Sequence, residues 1–244
     1  MEIITSAQNK RIKELVKLKQ KKYRDQEKLF LIETKHLVAE ALKHGQLRLI
    51  ITCETTYENG AVEILYVSKE IMQKLTNFKQ AANIMGVCAY FNREIDYSAD
   101  IVVLAEVQDP GNLGNIMRTC LAFGINNLVL SAHNVDCYNP KVVQASQGAL
   151  FQLNIIKEDL WPYLSFLKAK NYYLLGTSLS NATSLYERKK IKGKKAFFFG
   201  NEGQGLKAEL IRAMDVNYYI PIANIDSLNV GNALAIMLYE YKKD

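Results

Sequence analysis

Three stretches dense in glycine and asparagine hold the residues of this 244-residue chain best suited to chemistry. They are 109–124 (DPGNLGNIMRTCLAFG), 199–206 (FGNEGQGL) and 220–232 (IPIANIDSLNVGN). Each follows a β-like apolar run, and the first and third lead into helical patterns. An open α/β sheet places its ligand-binding loops at such junctions. Glycine lets backbone N–H and C=O groups approach a ligand closely, so three such loops point to a nucleotide-like cofactor.

Within these loops a few polar side chains stand out. Asn112 is a candidate cap for a helix over 112–123. Helical spacing puts Asn115 and Arg118 on its polar face, opposite Leu113, Ile116, Met117 and Cys120. Arg118 either grips a phosphate or carboxylate bidentately or is a surface arginine with no partner. Glu202 stands among glycines, where it serves a site or caps the helix that follows. Ser227 and Asn229 flank Leu228 at the start of the last helix, with the same choice between site and cap.

Other chemistries find no support. Neither a Walker A pattern nor a G-x-G-x-x-G fingerprint after a strand occurs, which argues against ATP hydrolysis and a standard nicotinamide site. His36, His44 and His133 lie outside the loops, so a histidine base and a metal cluster are not expected. Arg, Glu, Ser and Asn without metal fit group transfer by positioning and charge stabilisation.

The elements that must position these loops read as alternating strands and helices. A basic helix is expected over 8–22, then strands at 29–32, 47–52, 64–67 and 87–91 with helices near 35–44 and 69–75. The polar segment 92–100 reads as a linker. Beyond it come strands at 101–107, 127–130, 153–156, 172–178, 196–199 and 217–222. The continuous apolar runs 101–107 and 196–199 imply a parallel sheet covered on both faces. Val230, Ala233, Leu234, Met237, Leu238 and Tyr241 form one stripe on a final helix. The reading is α/β throughout, with domains at 1–97 and 98–244.

The bulk composition is 49% hydrophobic and 23% charged, that of an ordinary globular protein. No apolar run is long enough for a membrane span, and the N-terminus lacks a signal-peptide layout. Cys53, Cys88, Cys120 and Cys137 match neither a disulfide framework nor a zinc site, so buried thiols in a reducing cytoplasm are expected. The formal charge is +6. Eight Lys/Arg against one acid, Glu14, fall between Lys10 and Arg24, and six basic residues fall between Arg188 and Lys195. Each cluster is either a phosphate-backbone contact or a solvated face; two of them beside a cofactor-type site favour nucleic acid.

The three loops, in this order, resemble motifs 1, 2 and 3 of the SpoU (TrmH-type) branch of the SPOUT RNA methyltransferases. The matching residues are Asn112-x-Gly114-x-x-x-Arg118 with Phe123-Gly124, Phe199 to Leu206, and Ile220-Pro221-Ile222 with Ser227 to Val230. The stretch Ala145–Ala149 resembles a further landmark, and residues 4–13 and 30–33 resemble the family's L30e-like RNA-binding domain. Three positions depart: Thr34 follows Glu33 where glycine is usual, Met85 precedes Gly86 where glutamine is common, and Gly231 stands where serine is usual.

The resemblance implies an N-terminal L30e-like domain and a C-terminal α/β domain tied in a deep trefoil knot, in a cytoplasmic homodimer without metal. It implies S-adenosylmethionine as cofactor, held by backbone around Gly200, Ile220 and Leu228, with Thr177 as a further candidate. Arg118 matches the family's catalytic arginine, supported by Asn112, Glu202, Ser227 and Asn229. The implied reaction is methylation of a ribose 2′-hydroxyl, in 23S ribosomal RNA given the extra domain. The alternatives are transfer RNA as substrate, or a catalytically silent RNA-binding or ribosome-assembly protein of the same fold.

Overall fold

A computed structural model describes residues 2–179 and 181–242. In chain order the first elements are α1 (Lys10–Lys17), α2 (Lys21–Glu27), β1 (Leu29–Glu33), α3 (Lys35–Lys43), β2 (Leu47–Thr52), β3 (Glu63–Tyr66), α4 (Lys69–Leu75) and β4 (Ile84–Ala89). There follow β5 (Ile101–Leu104), α5 (Pro110–Ala122), β6 (Asn127–Ser131), α6 (Pro140–Ser146), β7 (Asn154–Glu158), α7 (Leu160–Ala169) and β8 (Tyr173–Thr177). The last are β9 (Thr183–Ser184), β10 (Lys195–Phe199), α8 (Ala208–Ala213), β11 (Val216–Tyr219) and α9 (Val230–Lys242). They form two compact units: Met1–Phe91 with Tyr138–Phe151, and Asn92–Cys137 with Gln152–Asp244.

The first unit has a four-stranded sheet of order β1-β4-β2-β3, with β2 and β3 parallel and the other pairs antiparallel. Ile12, Leu31, Ile51, Ile71 and Leu75 are buried in its core. The single basic helix expected over 8–22 is two helices. Buried Arg24 reaches back and its Nη1 donates to the carbonyls of Leu18 (3.2 Å) and Lys19 (3.0 Å), groups a helix C-terminus leaves unpaired.

Thr34 explains one departure from the family pattern. Its φ of 98° and ψ of 147° belong to glycine's territory, where a β-branched residue is strained. The Thr34 hydroxyl offsets part of this by capping α3, accepting from the Leu37 N–H at 3.4 Å. Glycine would relieve strain of ~1–3 kcal/mol and lose only a few tenths as a cap, against an unfolded-state cost of ~0.4–1 kcal/mol. Thr34→Gly is therefore expected to stabilise the protein by about 1 kcal/mol, a rise of about 3 °C in Tm by scanning calorimetry. A fall in Tm would show that the threonine backbone is unstrained.

The second unit carries a seven-stranded parallel sheet of order β7-β6-β5-β10-β8-β11-β9. Strands β5, β6 and β10 are buried almost end to end, as expected of a sheet covered on both faces. Ile101, Val103, Leu164, Leu174, Phe198 and Leu210 lie in its core. From β5 the chain steps to β6 and β7 on one side, then crosses to β8, β10 and β11 on the other. β5 and β10 therefore meet at the sheet's switch point, where an α/β sheet opens a crevice beyond its strand ends. Elements α6, α7 and β9 are additions to the expected strands and helices; in α7, Pro162 falls within the first turn, where proline is tolerated.

Candidate active site

The loops that leave β5 and β10 interlock at this switch point. Helix α5 starts at Pro110, and its cap is Asp109, which accepts from the Asn112 N–H at 2.8 Å. This corrects the expectation that Asn112 caps the helix: aspartate followed by proline at the first helical position takes that role. The Asn112 side chain is thereby freed for longer-range contacts. Its Nδ2 donates to Glu202 Oε1 at 3.0 Å, and its Oδ1 accepts from Asn229 Nδ2 at 2.7 Å.

Glu202 does not cap α8, whose first turn has no side-chain cap. It clamps the β5–α5 loop instead, accepting from the backbone N–H of Asp109 (3.0 Å) and Gln108 (3.3 Å). Burial pushes the Glu202 carboxyl up, but the hydrogen bonds from Asn112 and from backbone N–H groups outweigh it and hold the group below the ordinary 4.5. The clamp is thus fully formed above about pH 4.5 and is lost only as pH falls through that lowered value. At neutral pH this carboxylate is a weak base and an organiser of backbone.

The loop bearing Glu202 is a tight hairpin. Asn201 and Gly205 exchange two backbone hydrogen bonds of 3.1 and 2.9 Å. Asn201 Oδ1 accepts from the N–H groups of Gly203 and Gln204, while its Nδ2 donates to the Glu106 carbonyl at 3.0 Å. Gly205 has φ 68°, and a Cβ on Gly200 would lie 2.0 Å from the Gly205 carbonyl carbon. Gly200 accepts no side chain without opening the hairpin, whereas Gly205 has space for one but holds a left-handed backbone that a side chain would strain.

A cavity of about 410 Å³ opens beside this hairpin. Gly200, Glu202, Ile220, Ser227, Leu228 and Thr177 all line it, so six of the nine residues singled out in the sequence meet there. Thr177 donates to the Phe198 carbonyl at 3.4 Å. Asn112 and Asn229 join the cavity through Glu202. Asn229 also accepts from the Gly231 N–H at 2.9 Å, which starts α9. Exposed Ser227 makes no hydrogen bond among the described residues. Gly231 lets α9 close on α5, for a Cβ there would lie 2.5 Å from Asn115 Nδ2.

Arg118 stands apart. It projects from the exposed face of α5, with Asn115, as the helical spacing requires. It does not line the cavity and makes no hydrogen bond or ion pair among the described residues. The Ala145–Ala149 landmark is likewise absent from the cavity wall; Gln147 (φ 48°) and Gly148 (φ 91°) end α6 in the first unit.

Sequence reasoning missed Asn134, Ser131 and Asn201. Buried Asn134 donates to the Leu104 carbonyl (2.7 Å) and Ser131 Oγ (3.0 Å) and accepts from the Val107 N–H (2.6 Å). Ser131 Oγ also accepts from the Glu106 N–H at 3.0 Å, holding Glu106 at φ 65°. This network sets the loop that Glu202 then clamps. Nothing local in the sequence marks it, although Asn201 lies inside the second glycine-rich stretch. Asn134→Ala would strand a buried N–H and a buried carbonyl, at about 1–3 kcal/mol each. A loss of about 3 kcal/mol in urea unfolding is expected; an unchanged midpoint would show that water replaces the amide.

Among the described residues no cluster of His, Cys, Asp and Glu fits a metal, and no helix is long and apolar enough to cross a membrane. None of the four cysteines forms a disulfide. Cys88 and Cys120 are buried as expected, with burial pushing both thiols up, but Cys53 and Cys137 are only half-buried.

Comparison with known proteins agrees with this architecture. Residues 9–86 match the MRM3-like substrate binding domain. The chain is 33% identical to the 23S rRNA (guanosine(2553)-2′-O)-methyltransferase RlmP of Bacillus subtilis, covering 99% of this chain and 100% of that one. The crystal structure of an rRNA methyltransferase from Sinorhizobium meliloti superposes with a TM-score of 0.88 at 27% identity, over 99% of this chain and 97% of that one. The AdoMet-bound form of that enzyme superposes with a TM-score of 0.88 at 26% identity and the same coverage. Residues 100–239, which hold all three glycine-rich loops and the cavity walled by the second and third, match the SpoU rRNA Methylase family, and the chain belongs to that family.

Proposed function

We propose that this protein methylates a ribose 2′-hydroxyl of 23S ribosomal RNA, using S-adenosylmethionine. The observation that carries the proposal is the cavity at the switch point, walled by the second and third loops and tied to the first through Glu202 and Asn112. Its volume and mixed lining suit a nucleoside-sized ligand. Backbone around Gly200, Ile220 and Leu228 would hold the cofactor, with Thr177 at the end of β8. When bound, the cofactor supplies an electrophilic methyl group on sulfur. Full-length similarity to an enzyme named for 23S rRNA 2′-O-methylation supports the substrate.

Transfer forms a C–O bond, breaks a C–S bond and releases the hydroxyl proton. Arg118 is no base, because a guanidinium stays protonated. In this reading it grips an RNA phosphate beside the target, and the proton leaves to that phosphate or through deprotonation assisted by substrate binding. Glu202, Asn112 and Asn229 hold the loops in register, and Ser227 faces the cavity with its hydroxyl free.

The charge distribution fits an RNA partner, with the N-terminal cluster as the contact. Lys10, Lys13, Lys17 and Lys22 are exposed and have no carboxylate partner among the described residues. The second cluster is largely used internally: Lys194 donates to the Tyr97 carbonyl at 2.9 Å, Lys195 lies 3.6 Å from Asp100, and Arg188 lies 3.5 Å from Glu240. The packing of α9 on α5 fits the expected knot, and exposed Ile236 and Tyr239 on α9 fit a homodimer contact. A cytoplasmic location follows from the substrate.

The test incubates the protein with S-adenosylmethionine labelled in its methyl group and with 23S rRNA or transfer RNA. Labelled 2′-O-methylribose from 23S rRNA is expected. Label in transfer RNA alone would move the substrate, and none in either would favour a silent RNA-binding protein.

A further inference from the structure

The Asn201–Lys207 hairpin has a second cavity on its other side, of about 500 Å³. Its wall includes Ser131, His133, Glu158, Trp161, Gln204 and Lys207, and the buried side chains of Leu206 and Leu210 also line it. Asn201, Gly205, Leu206 and Ala208 line both cavities, so a strand laid over one reaches the other.

Trp161, the chain's single tryptophan, is 49% exposed at this cavity, an unusual position for so large an aromatic. The surrounding charges narrow what it meets. Lys207 is paired with Glu106, and Asp159 accepts from the Trp161 N–H at 3.2 Å to cap α7. The exposed Glu158 carboxylate has no partner among the described residues. A carboxylate only accepts hydrogen bonds and repels phosphate. The ligand must therefore offer a flat π-face to Trp161 and N–H groups to Glu158, rather than an anion.

We infer that this second cavity binds an unpaired base of the RNA strand, one bearing an exocyclic amino group, stacked on Trp161 and read by Glu158. Single-stranded RNA is recognised in this manner, by stacking on aromatic side chains and hydrogen bonds to base edges. The inference rests on the RNA-directed reading above, and it makes the cavity a specificity site next to the methyl-transfer site. Adenine, cytosine and guanine fit through their amino groups; uracil fits poorly, because its one donor, N3–H, lies between two carbonyl oxygens that the carboxylate repels.

Trp161 is its own probe, since no other tryptophan contributes fluorescence. Titration with single-stranded oligo-A or oligo-C should quench it, oligo-U should do so weakly, and an abasic ribose-phosphate strand should not. Trp161→Ala should raise the KM for RNA about tenfold or more with donor Kd unchanged, and Trp161→Phe should recover part of the loss. Glu158→Gln, whose amide can both donate and accept, should let uracil compete. Unquenched fluorescence at RNA saturation, established by filter binding, would overturn the inference, as would a wild-type KM in Trp161→Ala. The fluorescence readout needs no methyl transfer, so quenching without methylated product would retain this site while rejecting the proposed reaction. Methylation without quenching would do the reverse.

Discussion

Gly200→Ala is expected to weaken cofactor binding by two orders of magnitude or more while leaving most of the fold intact. The added Cβ would lie 2.0 Å from the Gly205 carbonyl carbon and 2.2 Å from the Leu206 nitrogen. Both are backbone atoms of the returning hairpin strand, so no rotamer change gives relief. The hairpin must open and lose the two Asn201–Gly205 backbone bonds. Overpacking of ~1–3 kcal/mol and two lost hydrogen bonds of ~1 kcal/mol each sum to about 3–5 kcal/mol. Spent on deforming the wall of the cavity, this corresponds to a Kd for S-adenosylmethionine weakened about 100- to 4,000-fold. Isothermal titration calorimetry measures it, with circular dichroism to confirm that the sheet persists. Wild-type affinity in the folded variant would mean that the donor binds elsewhere.

Arg118→Ala is expected to have the opposite profile, with turnover lost and donor affinity retained. The guanidinium is exposed and makes no hydrogen bond or ion pair among the described residues, so its removal should change stability by no more than ~0.5 kcal/mol. Loss of one preorganised charge donor at a reacting centre costs about 100- to 1,000-fold in kcat. Arg118→Lys keeps the charge but not the planar fork, and should recover only part of the rate. Single-turnover methylation at saturating donor and RNA separates this from a binding defect. Normal turnover in Arg118→Ala would remove the arginine from the mechanism.

Much of the fold was readable because its signals are local. Runs such as 101–104 and 196–199 are apolar without alternation, and a strand buried on both faces has no polar side to show. The exposed position of Arg118 followed from helical spacing, since Leu113, Ile116, Met117 and Cys120 claim the buried face. The misread cap is instructive: Asn112 resembled one, but Asp109 before Pro110 was the better signal three residues upstream. The break between α1 and α2 had no such signal, because it depends on Arg24 folding back onto carbonyls that α1 leaves unpaired.

The site divides along the same line. The kind of site expected was legible early, since glycines at strand ends with few titratable groups point to recognition by the backbone and chemistry by positioning. Which side chain holds which emerges only from the folded chain. Asn112 meets Glu202 across 90 residues and Asn229 across 117, and Asn134 sets a loop 27 residues before it. Side chains of this type cap, turn or bridge with equal chemical ease, and only the closing of the sheet at its switch point selects the partner. For the same reason, no reading of the basic runs could tell that Arg24 and Lys194 are committed to carbonyl groups within the fold while Lys10 and Lys13 remain free.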